Sequence, residues 1–268
     1  MACGRRLWIV LPLLLTVAMT GAGCGDDGQE QRGPSGSVGP VGPIGPVGDD
    51  QGIPGSGTIV IVTPDVSGFD QVVFKSEGAV TVTEGSDESL EIETDDNLVE
   101  YLESAEVDGV LEITTRDGVD IAPTQPPAYR IVMPHVAGID LAGAGSITMD
   151  GVDTASFSVG LSGAGEVKVR AVQVTELTVD LQGVGSVTLT GIADRADVAV
   201  GGVVVFDGSD LLLRDATVAA SGTGHATVWV TENLDAEASD SAEITYYGQP
   251  SVTTATSELG TVMPLGDK

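Results

Sequence analysis

From Gly138 onward, apolar and polar residues alternate so strictly that the extended strand must be the unit of structure. Phe157, Val159, Leu161, Gly163, Gly165, Val167 and Val169 share one parity, while Ser158, Ser162, Glu166, Lys168 and Arg170 share the other. A period of two belongs to a strand with one buried face, so the first set faces inward. The same parity continues through Leu177, Val179, Leu181, Gly183, Gly185, Val187 and Leu189. Over this stretch the phrase Leu161-Ser162-Gly163-Ala164-Gly165 copies Leu141-Ala142-Gly143-Ala144-Gly145 and is copied again by Leu181-Gln182-Gly183-Val184-Gly185, at an interval of twenty residues. Twenty is even, so in a stack each residue lies above its counterpart.

A fixed period of this length is the mark of a solenoid. The phase slips to nineteen at Val198 to Phe206, a looser copy follows at Ala220-Ser221-Gly222-Thr223-Gly224, and Asp240 and Glu258 stand where further glycines would fall. The pattern predicts an all-β chain folded as a parallel β-helix, with about seven rungs of about twenty residues. At about 4.8 Å per rung such a body is roughly 35 Å tall. The rival architecture is an antiparallel sandwich in which each unit is a hairpin, with turns at Asp150-Gly151, Thr190-Gly191 and Asp207-Gly208. A glycine pair held in register through several units has no use in a hairpin. In a coil it has a steric one, because a Cβ would collide where the chain turns a corner against its neighbour. Gly143, Gly145, Gly163, Gly165, Gly183, Gly185, Gly222 and Gly224 are therefore read as structural.

Ahead of the repeats the signals are more varied and predict a β-rich cap. Strands are expected at Thr58 to Val62, around Val72 to Phe74 and Val80 to Val82, at Leu90 to Glu93, at Val110 to Thr114 after an Asp108-Gly109 turn, and at Arg130 to Met133 before Pro134. One short helix is expected from Asp96 as N-cap, with Leu98, Tyr101 and Leu102 on a single face.

Composition sharpens this picture. Aromatics make up only 4% of 268 residues although 41% are hydrophobic, so the core must be built from thin layers of Val, Ile, Leu and Ala, which suits a narrow solenoid. The formal charge is −29. Phosphate backbones and anionic surfaces are repelled by such a chain, which argues against nucleic-acid binding.

The chain's first residues carry an address. Arg5 and Arg6 precede an apolar run from Leu7 to Val17, and Gly21-Ala22-Gly23-Cys24 closes it with small residues. The run is too short for a permanent span and reads as an export signal over residues 1–23. The ending resembles the lipobox of bacterial lipoproteins, in which Cys24 would become the lipidated N-terminus. Anchoring to the membrane through that lipid, in the bacterial cell envelope and at the outer membrane, is the expectation. Cys3 would leave with the signal, so no internal disulfide is expected. Residues 24–57 form a tether: Gly33, Gly36, Gly39, Gly42, Gly45 and Gly48 fall at every third place with prolines beside them, a collagen-like run whose phase breaks at Gln51. The head is read as residues 58–268.

Four features together resemble the head GIN domain of putative auto-transporter adhesins. They are the Phe74 to Val82 opening, the Asp96-Asn97-Leu98 start, the Arg130-Ile131-Val132-Met133-Pro134 strand and the repeated Gly-x-Gly phrases, with Tyr246-Tyr247-Gly248-Gln249-Pro250 as a late element. The resemblance runs from about Phe69 to Val262. It implies a β-helical fold, a role in adhesion and no catalytic residues.

Candidate chemistry is sparse. His135 and His225 are the only imidazoles, and both read as exposed residues at strand ends. Each Gly-x-Gly leads into another strand rather than a helix, unlike a nucleotide-binding turn. Paired aspartates at Asp117-Gly118-Val119-Asp120, Asp150-Gly151-Val152-Asp153 and Asp207-Gly208-Ser209-Asp210 fit solvated turns better than calcium loops. No cofactor, metal or catalytic residue is expected. Trp229 and Tyr247 take the outward parity and are the candidate binding surface, for a surface glycan or protein; packing under a C-terminal cap explains them equally well. The reading is a non-enzymatic adhesion or binding module. A polysaccharide-cleaving β-helix and a purely structural envelope protein are the alternatives.

Overall fold

In the computed structural model, which describes residues 52–268, the second half of the chain is a parallel β-solenoid. The strands Ala144–Leu161, Ala164–Leu181, Val184–Val200, Val203–Ala220 and His225–Ala238 each pair in parallel with the next. Seven residues, Ile139, Val159, Val179, Val198, Val218, Ala236 and Thr254, stand at one place in successive coils, so the stack makes about six turns. The antiparallel sandwich is excluded by this pairing. The export segment 1–23, Cys24 and the glycine-periodic run 33–50 lie outside the described residues.

Stacking gives the core its form. Ile147, Val167, Val187, Phe206, Ala226 and Ile244 make one inward column, and each is 0% exposed. Column members compensate for one another in size: Phe206 lies against Ala226, and a Cβ added to Gly208 would stand 3.1 Å from the Phe206 ring. The slip to nineteen is localised at a corner. Val169 pairs with Leu189 but Val172 with Gly191, so the upper coil is one residue shorter there, and Ala171 is left in the left-handed region at φ 54°. Three residues are lost higher up. Gly208 pairs with Val228 but Leu212 with Trp229, so Ser209 to Leu211 have no counterparts in the next coil, and Ser209 and Asp210 overhang it.

The first coil, formed by Gln71–Phe74 and Glu77–Glu84, is closed by a cap. Ala128–Met133 pairs in parallel with Glu77–Glu84, then antiparallel with Ser89–Asp95, which pairs antiparallel with Ile59–Val62. Val110–Thr115 pairs with Gln71–Phe74 and turns back into Leu102–Val107 through Asp108 and Gly109, both at positive φ as a tight hairpin turn requires. Tyr129 and Phe74 meet edge to face beneath the coils, 4.9 Å between centroids. Burial pushes the Tyr129 phenol up to about 12, although the Ser76 hydroxyl opposes the shift.

The expected helix after Asp96 is a single 3-10 turn, Val99–Tyr101, entered through Leu98 with no side-chain cap. The carboxylates that would cap it are engaged elsewhere. Asp96 accepts the Ser56 hydroxyl, Asp95 accepts from Gly57 and Thr124, and Leu102 is already extended at φ −94°, ψ 123°. Pairing of the described chain also begins ahead of Thr58, with Ile53–Pro54 beside Ile121–Ala122.

Candidate binding surface

Because each coil spends its apolar side chains on the core, anything the head recognises must meet the outward side chains. These form ladders whose spacing the backbone sets. On one wall Glu176, Arg195, Asp215, Asn233 and Ser251 follow one another from coil to coil. The neighbouring ladders on that wall hold Asp180, Asp197, Asp235 and Glu237. Asn233 donates to Asp215 at 2.6 Å and Arg214 to the same carboxylate at 3.0 Å, and these two bonds hold the Asp215 carboxyl below the ordinary range.

Lower on the same wall Asp140, Gly160 and Asp180 are in register. The Asp140 side chain lies in the notch that Gly160 leaves, where a Cβ would stand 2.7 Å from Oδ1. That oxygen is buried without a hydrogen-bond partner. Burial, then the Asp180 charge, push the Asp140 carboxyl up.

The corner glycines fall into two geometries. A Cβ on Gly143, Gly163 or Gly183 would run into the carbonyl oxygen of the coil beneath, at Ser76, Gly143 and Gly163 respectively. Gly145, Gly165 and Gly185 would collide in the same way and also hold φ of 141°, 149° and 146°. Above them the corner changes, because the positive φ moves to Gly202, Gly222, Asp240 and Glu258, at 62°, 67°, 55° and 55°. Gly222-Thr223-Gly224 is thus a different turn from the three phrases below it. Gly224 has no positive φ, and a Cβ there would stand 2.8 Å from Val200 Cγ1. Outside this edge Ala144, Ala164, Val184 and Val203 are in register, with Val184 and Val203 56% and 60% exposed.

Trp229 and Tyr247 are brought together. They are partners on adjacent coils, both half-buried on the outward side, and the next partner of Tyr247 is Gly266. The Lys268 ammonium lies over both rings, 5.4 Å from the Trp229 centroid and 5.3 Å from that of Tyr247. It donates to the Asp210 carboxylate and the Ser209 carbonyl, the two residues of the overhang. Sequence reasoning found the aromatics by parity and read Asp207-Gly208-Ser209-Asp210 as a solvated turn, but it missed Lys268 and the meeting of that turn with the aromatics, since the overhang breaks the period and Lys268 lies 39 residues from Trp229.

Other expected positions are less connected. His225 lies 3.4 Å from Glu243 and 3.3 Å from Thr227, and His135 is exposed. The three paired-aspartate turns stay apart, and among the described residues no three His, Cys, Asp or Glu side chains converge on a metal position. A cavity of about 650 Å³ lies between the Pro123 to Pro127 loop and the Ala144-Gly145 corner.

A family model described as "putative auto-transporter adhesin, head GIN domain" matches residues 68–250. Among solved structures, the chain is similar to a putative adhesin from Bacteroides fragilis, at 23% identity and a TM-score of 0.74 over 80% of this chain and 100% of that one. It is similar also to a putative lipid binding protein from Parabacteroides distasonis (22%, TM-score 0.65, 80% and 99%) and to a putative adhesin of the same species (19%, 0.62, 80% and 99%). At these identities the likeness is one of fold. No curated protein matches the chain.

Proposed function

We propose, from the premise that this chain belongs to the family of putative auto-transporter adhesins with a head GIN domain, that it is a cell-envelope protein whose β-helical head is a non-enzymatic adhesion or binding module. The observation that carries this reading is the use of the coils themselves. Inward positions are filled by a continuous apolar core, and outward positions present side chains in ladders about 4.8 Å apart, a layout suited to many weak contacts with one extended partner. Surface glycan and surface protein are the partner classes.

The anchor rests on sequence. Arg5, Arg6, the Leu7 to Val17 run and the small residues before Cys24 support export followed by lipidation at Cys24, with the outer membrane as destination and the collagen-like run 33–50 as the spacer to the head. Two experiments test the whole. Cys24→Ala is expected to move the protein from the membrane fraction to the soluble one; unchanged membrane recovery would remove the anchor from the proposal. The full chain, displayed on glycan and envelope-protein arrays, is expected to retain at least one saturable ligand. Turnover of an acidic polysaccharide in the same assay would transfer the head to the enzyme class.

A further inference from the structure

The surroundings of the Lys268 ammonium amount to a full set of acceptors for that one chemical group. Two ring faces within 6 Å supply the attraction of their quadrupoles, a carboxylate supplies charge, and a carbonyl oxygen takes a further N–H. These parts come from three different coils and are assembled by two irregularities. The three-residue excess of Ser209 to Leu211 carries the oxygens over Trp229. Gly266 is the partner of Tyr247 and sets no side chain of its own on that coil position.

Lys268 itself is held lightly. The strand Thr261–Gly266 is paired with Glu243–Tyr247 as far as Gly266; past it, Asp267 accepts from Gln249, Lys268 is held by its own ammonium, and Leu265 is 47% exposed. Lys268 can therefore lift away without opening the core. A net charge of −29 draws cationic ligands toward the molecule.

We propose that Trp229, Tyr247, Asp210 and the Ser209 carbonyl form a receptor for a lysine side chain of a partner protein, and that Lys268 is its exchangeable resident. A lysine is favoured over an amino sugar because the observed occupant enters as a lone ammonium on a long methylene stem at the end of an extended strand. The proposal depends on the binding-module reading for its biological use alone. A head that ignored every surface ligand but still exchanged Lys268 would count against adhesion and leave this site standing.

The test uses the full chain and the emission of Trp229, isolated by subtracting the Trp229→Phe variant because Trp8 is the other tryptophan. The probes are a capped Gly-Lys-Gly peptide and a chitosan tetramer. If Lys268 fills the site about nine-tenths of the time, Lys268→Ala binds the peptide about tenfold more tightly than the native chain, and adding Asp210→Asn abolishes most of that gain. Lys268→Gln is expected to behave as Lys268→Ala does, with an unchanged unfolding midpoint to show that the coil end is intact. Equal peptide affinity with and without Lys268, or no binding in either form, would make Lys268 a mere latch and overturn the proposal. Preference for the chitosan tetramer would overturn the partner class.

Discussion

Val204 stands directly above Gly185, and with that exchange the left-handed residue of the corner moves two places back, to Gly202. A valine cannot hold the φ of 146° that Gly185 holds, so the chain reaches the same turn through a different residue. From there upward the corner tolerates side chains, as Asp240 and Glu258 show at 55° each.

This division predicts unequal responses to substitution. Gly163→Ala places a Cβ against the Gly143 carbonyl and is expected to cost about 1–3 kcal/mol through overpacking. At Gly222 a Cβ approaches no closer than 3.2 Å, and Gly222→Asn, suited to the left-handed region, is expected to cost less than about 1 kcal/mol. Urea unfolding of both variants checks this, and similar midpoints would contradict the two-corner description.

How far the sequence carried the structure follows from the range of each signal. Periods of two and twenty are repeated in the chain itself, so the inward columns and the stacking of Gly143, Gly163 and Gly183 could be read without coordinates. The Asp95 clamp could not, because its partners Gly57 and Thr124 lie 38 and 29 residues away and no local pattern marks them. The same engagement explains the short helix: Leu98, Tyr101 and Leu102 have helical spacing, but Asp95 and Asp96 are turned to other segments. Lys268 was hidden for a related reason, since its position over Trp229 depends on a three-residue shortening of that coil, which interrupts the repeat.

A buried carboxyl, Asp95, and a half-buried one, Asp140, predict opposite dependences on pH. Burial alone would raise Asp95, yet hydrogen bonds from the Thr124 N–H and hydroxyl and from the Gly57 N–H outweigh it and hold the group below its ordinary 3.8. Its contribution to stability is therefore complete above about pH 4 and is lost as pH falls through the lower folded value. Asp140 is raised, so its ionisation on folding is disfavoured and destabilises the head above its folded pKa. Asp140→Asn is expected to raise the melting temperature at pH 7 and to give no gain at pH 3, whereas Asp95→Asn should lower it at pH 7 and flatten the acid limb. Melting curves across that range decide both.

A third prediction concerns the core. Phe206 is the one large aromatic in its column and is fully buried above Val187 and below Ala226. Phe206→Ala leaves two alanines in succession and a cavity the rigid coils cannot close, at a cost of about 3–5 kcal/mol. Phe206→Leu should recover more than half of that. Equal losses for the two variants would mean that the coils collapse onto the smaller residue.

The last prediction separates the tether from the head. Six glycine triplets without proline in the third place offer little triple-helical stability, so chain assembly through residues 33–50 is not expected. The head, by contrast, holds its first residues firmly. Ile53–Pro54 pairs with Ile121–Ala122; Asn97 donates to the Pro54 carbonyl at 2.9 Å and accepts the Ser56 N–H at 2.8 Å; Asp95 accepts the Gly57 N–H at 2.7 Å. A chain beginning at Gly52 keeps all of these partners, while one beginning at Thr58 leaves the buried Asp95 carboxylate and the Asn97 amide short of theirs. The Gly52 form is expected to melt with the full chain and the Thr58 form several degrees lower, both sedimenting as the full chain does once its lipid is removed. A trimer found only when residues 33–50 are present would show that the collagen-like run assembles chains. Equal melting of the two truncated forms would show that the Asp95 and Asn97 contacts contribute nothing to the cap.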